Sequence, residues 1–570
     1  MALTVGQTYS GFYLLTQKEI PELHSVGRVF EHIKSGARLF HLQNNDDDNK
    51  VFSISFRTPP HDSTGLPHIL EHSVLCGSRK FPLKDPFIEL AKGSLNTFLN
   101  AMTYPDKTMY PVASRNEKDF RNLMDVYMDA VLYPNIDQQP EIFMQEGWHY
   151  ELDQMEDDLI YKGVVYNEMQ GAFSSPEQIL FRRIQQSLFP DTPYSTESGG
   201  DPDEIPKLTY KEFVNFHKRY YHPSNSYIYL YGDMDVLSYL EWLDKEYLQA
   251  FDRINIDSSI GIQPAFSQPI QVEVSYPIAA NEQEVNKTYF SYNAVIGTSL
   301  DAKLCFAFTI LENLLLEVEG APLKKALLEA GIGKDVFGSY DNSILQPIFS
   351  VVAKNADLSQ LDDFHHVIQS TLGSLVENGI DKKLILATIN TLEFRLREAD
   401  YGRHPKGLDY NIMSMNSWLY DGDPMMHLQY DWILKELKDK VETDYFEQLI
   451  QQYLLDNPHA STVIVKPEKG LAAKKEEEIK EELREYKATL SPEELEDLIN
   501  QTRRLKEFQG EATPKEDLEK IPLLSLKDIN PKADHLPQEE EEIQGVKVLH
   551  HPLFTNQITY LNFLFDLVGF

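Results

Sequence analysis

Cysteine is nearly absent: Cys76 and Cys305 are the only two in 570 residues. A disulfide framework is thereby excluded, and so few thiols suit a reducing compartment. Long apolar runs are missing too. No stretch approaches the roughly 18 consecutive apolar residues that a membrane-spanning helix needs, so no membrane partner is expected. Positive charge is scarce, with 53 Lys and Arg against 89 Asp and Glu and a formal net charge of −36. There is no basic surplus to neutralise phosphates, which argues against nucleic acid as a partner. The same sign argues against an anionic membrane surface. Residues 1–10 show neither a basic start leading into an apolar core nor an Arg-rich transit pattern, so the expected location is cytoplasmic.

What is present is ordinary globular composition, 42% hydrophobic and 25% charged. The length suffices for three or four domains with their own cores. The chain is organised around Thr64-Gly65-Leu66-Pro67-His68-Ile69-Leu70-Glu71-His72-Ser73-Val74-Leu75-Cys76-Gly77. It reads as one helix, with Ser63 or Thr64 as cap, Pro67 in the first turn and Gly77 as the stop. On a helix His68 and His72 share a face, and two imidazoles so spaced can hold one Zn²⁺. Glu71 lies beside them, placed to accept a proton from a water activated there. The order His-x-x-Glu-His is a metallopeptidase pattern. Cys76 is too far along a straight helix to converge with His68, and reads as a small buried residue of the last turn.

Upstream, strands are expected over 28–33 or 38–42 and over 51–56, separated by the Asn44–Asn49 loop. Downstream, Gly93, Ser94, Leu95, Asn96 and Thr97 open a mixed run that fits a strand bordering the site. Helical spacing recurs from Glu117 to about Tyr133 and again from Gln139. A third zinc ligand is required. Glu141, Glu146, Glu151, Glu168 and Glu177 all lie on or near expected helices, and spacing does not choose among them. Ser226–Gly232 reads as a strand followed by a helix. A second α/β unit is expected from about 268 to 466, with strands near 288–296 and 346–353 and helices at 301–319, 322–331, 358–378 and 382–398. At 468–510 the composition turns highly charged. Two helices joined near Ser491-Pro492-Glu493-Glu494, a capping-box sequence, read as a hairpin spacing globular halves. Finally, Gly545–His550 and Ile558–Phe565 repeat the pattern of Gly36–His41 and Val51–Phe56. This reads as the start of a third α/β unit in the N-terminal portion of a longer, internally duplicated polypeptide.

Pro67–His72, Leu75–Ser78, Gly163–Met169, Ser198–Pro202 and Tyr221–Asn225 occur in this order, and together they resemble the presequence protease (peptidasome) branch of the insulinase/pitrilysin metallopeptidases. The likeness covers essentially the whole chain. It implies an α+β fold of paired α/β/α sandwich domains with mainly antiparallel sheets. The divisions would be 1–260 (catalytic, with the zinc site), 261–467 (second α/β domain), 468–535 (helical hairpin linker) and 536–570 (start of a third, truncated domain). It implies Zn²⁺ held by His68, His72 and Glu168, Glu71 as catalytic base, and Glu146 as a carboxylate supporting the ligands. The run from Gly93 through Thr97 would receive an extended peptide as an added strand. The implied activity is endoproteolysis of short unstructured peptides inside a chamber completed by the C-terminal half of the same polypeptide. That half would supply an Arg and a Tyr that lie beyond residue 570.

Overall fold

The computed structural model describes residues 3–533 and 535–568. The first unit is built on a nine-stranded sheet. Its strands are β1 (Thr8–Tyr9), β2 (Phe12–Ile20), β3 (Ser25–His32), β4 (Arg38–Gln43), β5 (Lys50–Arg57), β6 (Asn96–Leu99), β7 (Met102–Thr103), β8 (Lys107–Ser114) and, much later, β11 (Ser226–Gly232). A separate antiparallel pair, β9 (His149–Glu151) and β10 (Ile160–Lys162), lies outside it. The spatial order is β1-β2-β3-β4-β11-β5-β8-β6, with β7 also on β8. Every pairing is antiparallel except β4 with β11. The helices are α1 (Leu66–Val74), α2 (Pro86–Gly93), α3 (Glu117–Leu132), α4 (Pro140–Glu146), α5 (Val164–Ala172), α6 (Pro176–Leu188), α7 (Tyr210–Tyr220) and α8 (Val236–Glu246).

The second unit carries β12 (Ile270–Ile278), β13 (Thr288–Val295), β14 (Asp335–Asp341), β15 (Ile348–Ala356) and β16 (Ala460–Lys469) in the order β12-β16-β13-β15-β14. Its helices are α9 (Ala302–Glu312), α10 (Pro322–Glu329), α11 (Leu361–Asn378), α12 (Lys382–Glu398), α13 (Lys406–Trp418), α14 (Asp431–Lys440) and α15 (Tyr445–Ile450). A π-helical turn, Asn313–Glu317, extends α9 over most of the helix expected at 301–319. The architecture is mixed α and β with mainly antiparallel sheets.

Both sheets are covered on two faces, and each unit supplies part of the other's cover. On one face of the first sheet Phe52, Ile54, Tyr110 and Val112 pack with Ile69, Leu70 and Val74 of α1 and with Phe120 and Leu123 of α3. The opposite face, with Phe40, Tyr227 and Tyr231, packs against α13, where Trp418 meets the Tyr227 ring edge-on at 5.0 Å. In return, Ile179, Leu180, Ile184 and Leu188 of α6 lie against Tyr289, Val352, Val463 and Val465 of the second sheet. Burial on both faces explains why β5 and β8 show no alternation of exposed and buried positions. Each fully buried Leu, Ile or Val of this kind contributes about 1.5–3 kcal/mol.

The charged segment forms two helices, α16 (Leu471–Thr489) and α17 (Pro492–Gly510), with Ser491 and Glu494 capping reciprocally. They lie against the first unit. Leu483 is buried with Leu152 and Leu159, Leu152 N donates to Thr502 Oγ1 at 3.1 Å, and Arg504 pairs with Glu141 at 2.6 Å. After the short α18 (Lys515–Leu518), Lys118 pairs with Asp528 at 2.8 Å and ties the continuing chain to α3.

The strand expected at 558–565 does not form. Val546–His550 (β18) instead pairs with Glu539–Ile543 (β17). Gln544 and Gly545 take positive φ, 53° and 81°, the primed turn geometry that closes a two-residue hairpin locally. Leu561, Phe563 and Leu564 remain exposed. Among the described residues no helix is long and apolar enough to cross a membrane.

Candidate metal centre

Helix α1 buries Ile69, Leu70, Ser73 and Val74 and turns His68 and His72 to its other face. Its N-cap is Gly65, at φ +71°, with no side-chain cap bond. Ser63 and Thr64, the expected caps, are engaged elsewhere. Thr64 donates from N and Oγ1 to Asp62 Oδ1, while Ser63 Oγ accepts from Glu197 N at 3.1 Å. The reason is steric. The backbone at Gly199-Gly200 crosses the helix start so closely that a Cβ on Gly65 would lie 2.7 Å from Gly200 Cα.

That crossing delivers a contact that sequence reading missed. His68 Nδ1 donates to Gly199 O at 3.0 Å. His72 Nδ1 lies 3.2 Å from Glu146 Oε2, at the buried end of α4. With both δ nitrogens so engaged, both ε nitrogens face Glu168, each 3.7 Å from Oε2. Among the described residues, His68, His72 and Glu168 are the His, Cys, Asp and Glu side chains whose ligand atoms converge, all within 4.8 Å of one another. Glu168 stands on α5 and is 52% exposed at its side chain, so the centre opens to solvent. Helix α5 starts at Gly163, where an added Cβ would sit 2.1 Å from Gly147 O. This contact seats the start of α5 on the end of α4 and places Glu146 behind the imidazoles and Glu168 in front.

Glu71, one residue from His72 on the same side of α1, is 9% exposed. Burial pulls the His72 imidazole down, but the hydrogen bond to Glu146 and the charges of Glu71, Glu146 and Glu168 outweigh it, and its pKa lies above the usual histidine value. Burial alone would raise Glu146. The bonds from His72 and Gln145 bring it below the usual carboxylate range instead. Cys76 lies 3.6 Å from Glu146 Oε1, and burial pushes its thiol well up, so it stays protonated beside the cluster and outside the converging set. The remaining candidate carboxylates are turned away into ion pairs: Glu141 with Arg504, Glu151 with Lys162 at 2.7 Å, and Glu177 with Lys354.

The expected strand over 93–97 is corrected in its bounds. Gly93 ends α2 and Ser94 caps it. Ser94 Oγ and Leu95 N are both held by Asp119 Oδ2 at 3.2 Å, and only Asn96 and Thr97 lie in β6. Tethering to Asp119 at the start of α3 keeps residues 94–95 out of the ladder. Strand β6 is a sheet edge, paired on one side with β8.

The donor set fits zinc, which takes imidazole and carboxylate ligands in a tetrahedron. Bonds of about 2.0–2.1 Å imply ligand atoms about 3.3 Å apart, close to the 3.7 Å separations observed.

Residues 57–197 match the family described as Insulinase (Peptidase family M16). Residues 207–392 match the Peptidase M16 inactive domain, and 465–570 match the domain described as associated with subfamily C of the same peptidases. The chain belongs to the insulinase (M16) peptidase family. Within it, the likeness runs to the presequence proteases. The chain is 43% identical over 565 residues to presequence protease 1, chloroplastic/mitochondrial, of Arabidopsis thaliana, across 98% of this chain and 52% of that protein. It is 55% identical over 558 residues to the protein HypA of Clostridium perfringens, across 98% of this chain and 57% of that one. The chain therefore spans about half the length of the curated relatives it matches. In fold it is similar to a Helicobacter pylori protease (TM-score 0.60, 14% identity, 81% of this chain and 100% of that one) and to pitrilysin (TM-score 0.56, 15% identity, 80% and 47%).

Proposed function

We propose that this chain carries the zinc centre of a metalloendopeptidase that hydrolyses short unfolded peptides within a chamber. The observation that supports this most is the convergence of His68, His72 and Glu168 with Glu71 next to them on α1. The reading takes His68 Nε2, His72 Nε2 and a Glu168 oxygen as the ligands. Zinc, when bound, supplies Lewis acidity toward a peptide carbonyl and acidifies a water. Glu71 accepts the proton of the attacking water and passes it to the leaving amine. Glu146 and the Gly199 carbonyl hold the two imidazoles in the tautomer that leaves Nε2 free. The open edge of β6 offers backbone groups to an extended peptide, which favours unfolded substrates and loose sequence preference. The presequence proteases among the relatives support peptides as the substrate class.

The test is cleavage of a quenched, unstructured basic peptide by the 570-residue chain, with Glu71→Gln alongside and metal content measured on both. Loss of cleavage by about 10²–10⁴-fold with zinc retained is the expected result. A parent chain without zinc overturns the ligand assignment. Zinc without cleavage overturns the activity for this chain alone and directs the next assay to the chain joined to the second half of a longer polypeptide.

A further inference from the structure

We propose that Glu197 and Arg182 are positioning residues for the metal centre: through the 193–200 loop they fix the Gly199 carbonyl that orients His68. The inference rests on the zinc reading above and adds to it the element that presets one ligand before metal arrives.

The Gly199 carbonyl belongs to the peptide joining Gly199 to Gly200, and a glycine flanking that peptide would let it rotate freely. Glu197 removes that freedom from both sides. Its Oε1 accepts from Gly199 N at 2.9 Å, and its own carbonyl accepts from Gly200 N at 3.1 Å. The dihedrals on either side of Gly199 Cα are thereby set by a single residue. Glu197 is held in turn. Its Oε2 pairs with Arg182 Nε at 2.7 Å, with both side chains largely buried. Its backbone N donates to Ser63 Oγ, three residues before α1 begins.

Arg182 also touches the second ligand's support. Its guanidinium lies 4.0 Å from the centre of the Phe173 ring, and Phe173 caps the C-terminus of α5, which carries Glu168. One guanidinium thus braces the loop behind His68 and the end of the helix that carries Glu168. Arg182 itself stands on α6, whose apolar face is buried against the second sheet. The far end of the loop is tied to the second unit as well. Tyr194 OH donates to buried Asp106 at 2.6 Å and accepts from Leu345 N at 3.0 Å, and Tyr420 OH donates to the same Asp106 oxygen at 2.5 Å. A backbone carbonyl that accepts from a ligating imidazole fixes its tautomer and ring plane, and loss of such a partner typically costs about 10–100-fold in metal affinity. The second unit therefore serves the metal centre without contributing a ligand to it.

The experiment measures zinc affinity of the 570-residue chain by chelator competition, and the visible spectrum of the cobalt-substituted chain, with no peptide present. Glu197→Ala is expected to weaken zinc binding by about 10–100-fold and to alter the cobalt bands. Glu197→Gln keeps an oxygen for Gly199 N and is expected to stay close to the parent. Glu197→Asp, too short to reach Gly199 and Arg182 together, stands in if alanine is not tolerated, with a loss in the same direction. Parent-like affinity and spectrum in folded Glu197→Ala or Glu197→Asp would overturn the proposal. His68→Ala measured in parallel separates the two readings. If it too binds zinc like the parent, the ligand assignment itself has failed; if it alone loses zinc, the ligands stand and the positioning role falls.

Discussion

The two α/β units share one plan and differ at one helix. The core of the first sheet runs β4-β11-β5-β8-β6 and the second runs β12-β16-β13-β15-β14. In each, the last strand of the unit lies parallel to the first strand of this five-strand set and antiparallel to the second. In each, the helix after that second strand packs into a core. In the first unit this helix is α1, with His68, Glu71 and His72. In the second it is α9, where Leu304, Cys305, Phe306, Ala307, Phe308, Ile310 and Leu311 are all buried. The plan therefore needs an apolar helix at this place and does not need histidines there. The polar face of α1 is chemistry added to a position that α9 fills with packing, in line with the match of 207–392 to an inactive domain.

The two units should part most widely at the ligands. Glu168→Gln or His72→Ala is expected to abolish stoichiometric zinc binding and with it any peptide cleavage, measured by metal analysis. The metal-free chain should lose no more than about 1 kcal/mol in urea unfolding, the scale of partly exposed sites outside a core. Phe308→Ala in α9 should do the reverse. It is expected to cost about 3–5 kcal/mol in urea unfolding, while the folded fraction keeps its zinc.

Acid and base separate the units again, by smaller amounts. In the first unit burial pulls His217 down to about 4, with Nε2 donating to Val131 O at 2.9 Å. The unfolded chain binds that proton at a higher pH than the folded one. Stability is therefore full above about pH 6.5 and falls as pH drops toward 4, by about 3 kcal/mol at most. In the second unit burial and the neighbouring Glu317 push Glu312 up to about 7. Here the folded chain holds the proton longer, so stability is full below the usual glutamate pKa and is lost as pH rises through about 7. Urea midpoints across pH 4–8 should thus flatten on the acid side in His217→Gln and on the neutral side in Glu312→Gln. The second change is the smaller, since Glu312 is only partly buried.

Local signals carried much of this architecture. The helix at α1, the strands at β4, β5, β11 and β13 and both hairpin helices were legible because caps, prolines and apolar spacing act within a few residues. The repeated sheet order of the second unit was not, since strands buried on both faces lose their alternation. Nor did spacing single out Glu168 among five glutamates. Their difference lies in tertiary partners, with Glu141, Glu151 and Glu177 drawn into ion pairs by Arg504, Lys162 and Lys354. Resemblance singled it out, and the geometry brings it to both imidazoles. The hairpin read as a spacer, yet it lies on the first unit through Leu483 and Thr502, contacts made across more than 300 residues of sequence. The role of Gly199 was invisible because a carbonyl has no signature in sequence, although the Ser198–Pro202 run was already conspicuous.

The place of β11 between β4 and β5 has a consequence for how the molecule is made. Those two strands leave the ribosome early, but the strand that joins them follows roughly 170 residues later, about 10–30 s at ordinary rates of synthesis. Until then the nascent sheet has two unfilled edges and α1 has no finished floor to rest on. Contacts so distant in sequence form slowly, so a growing chain shows its histidines to the cell before it can hold them in place.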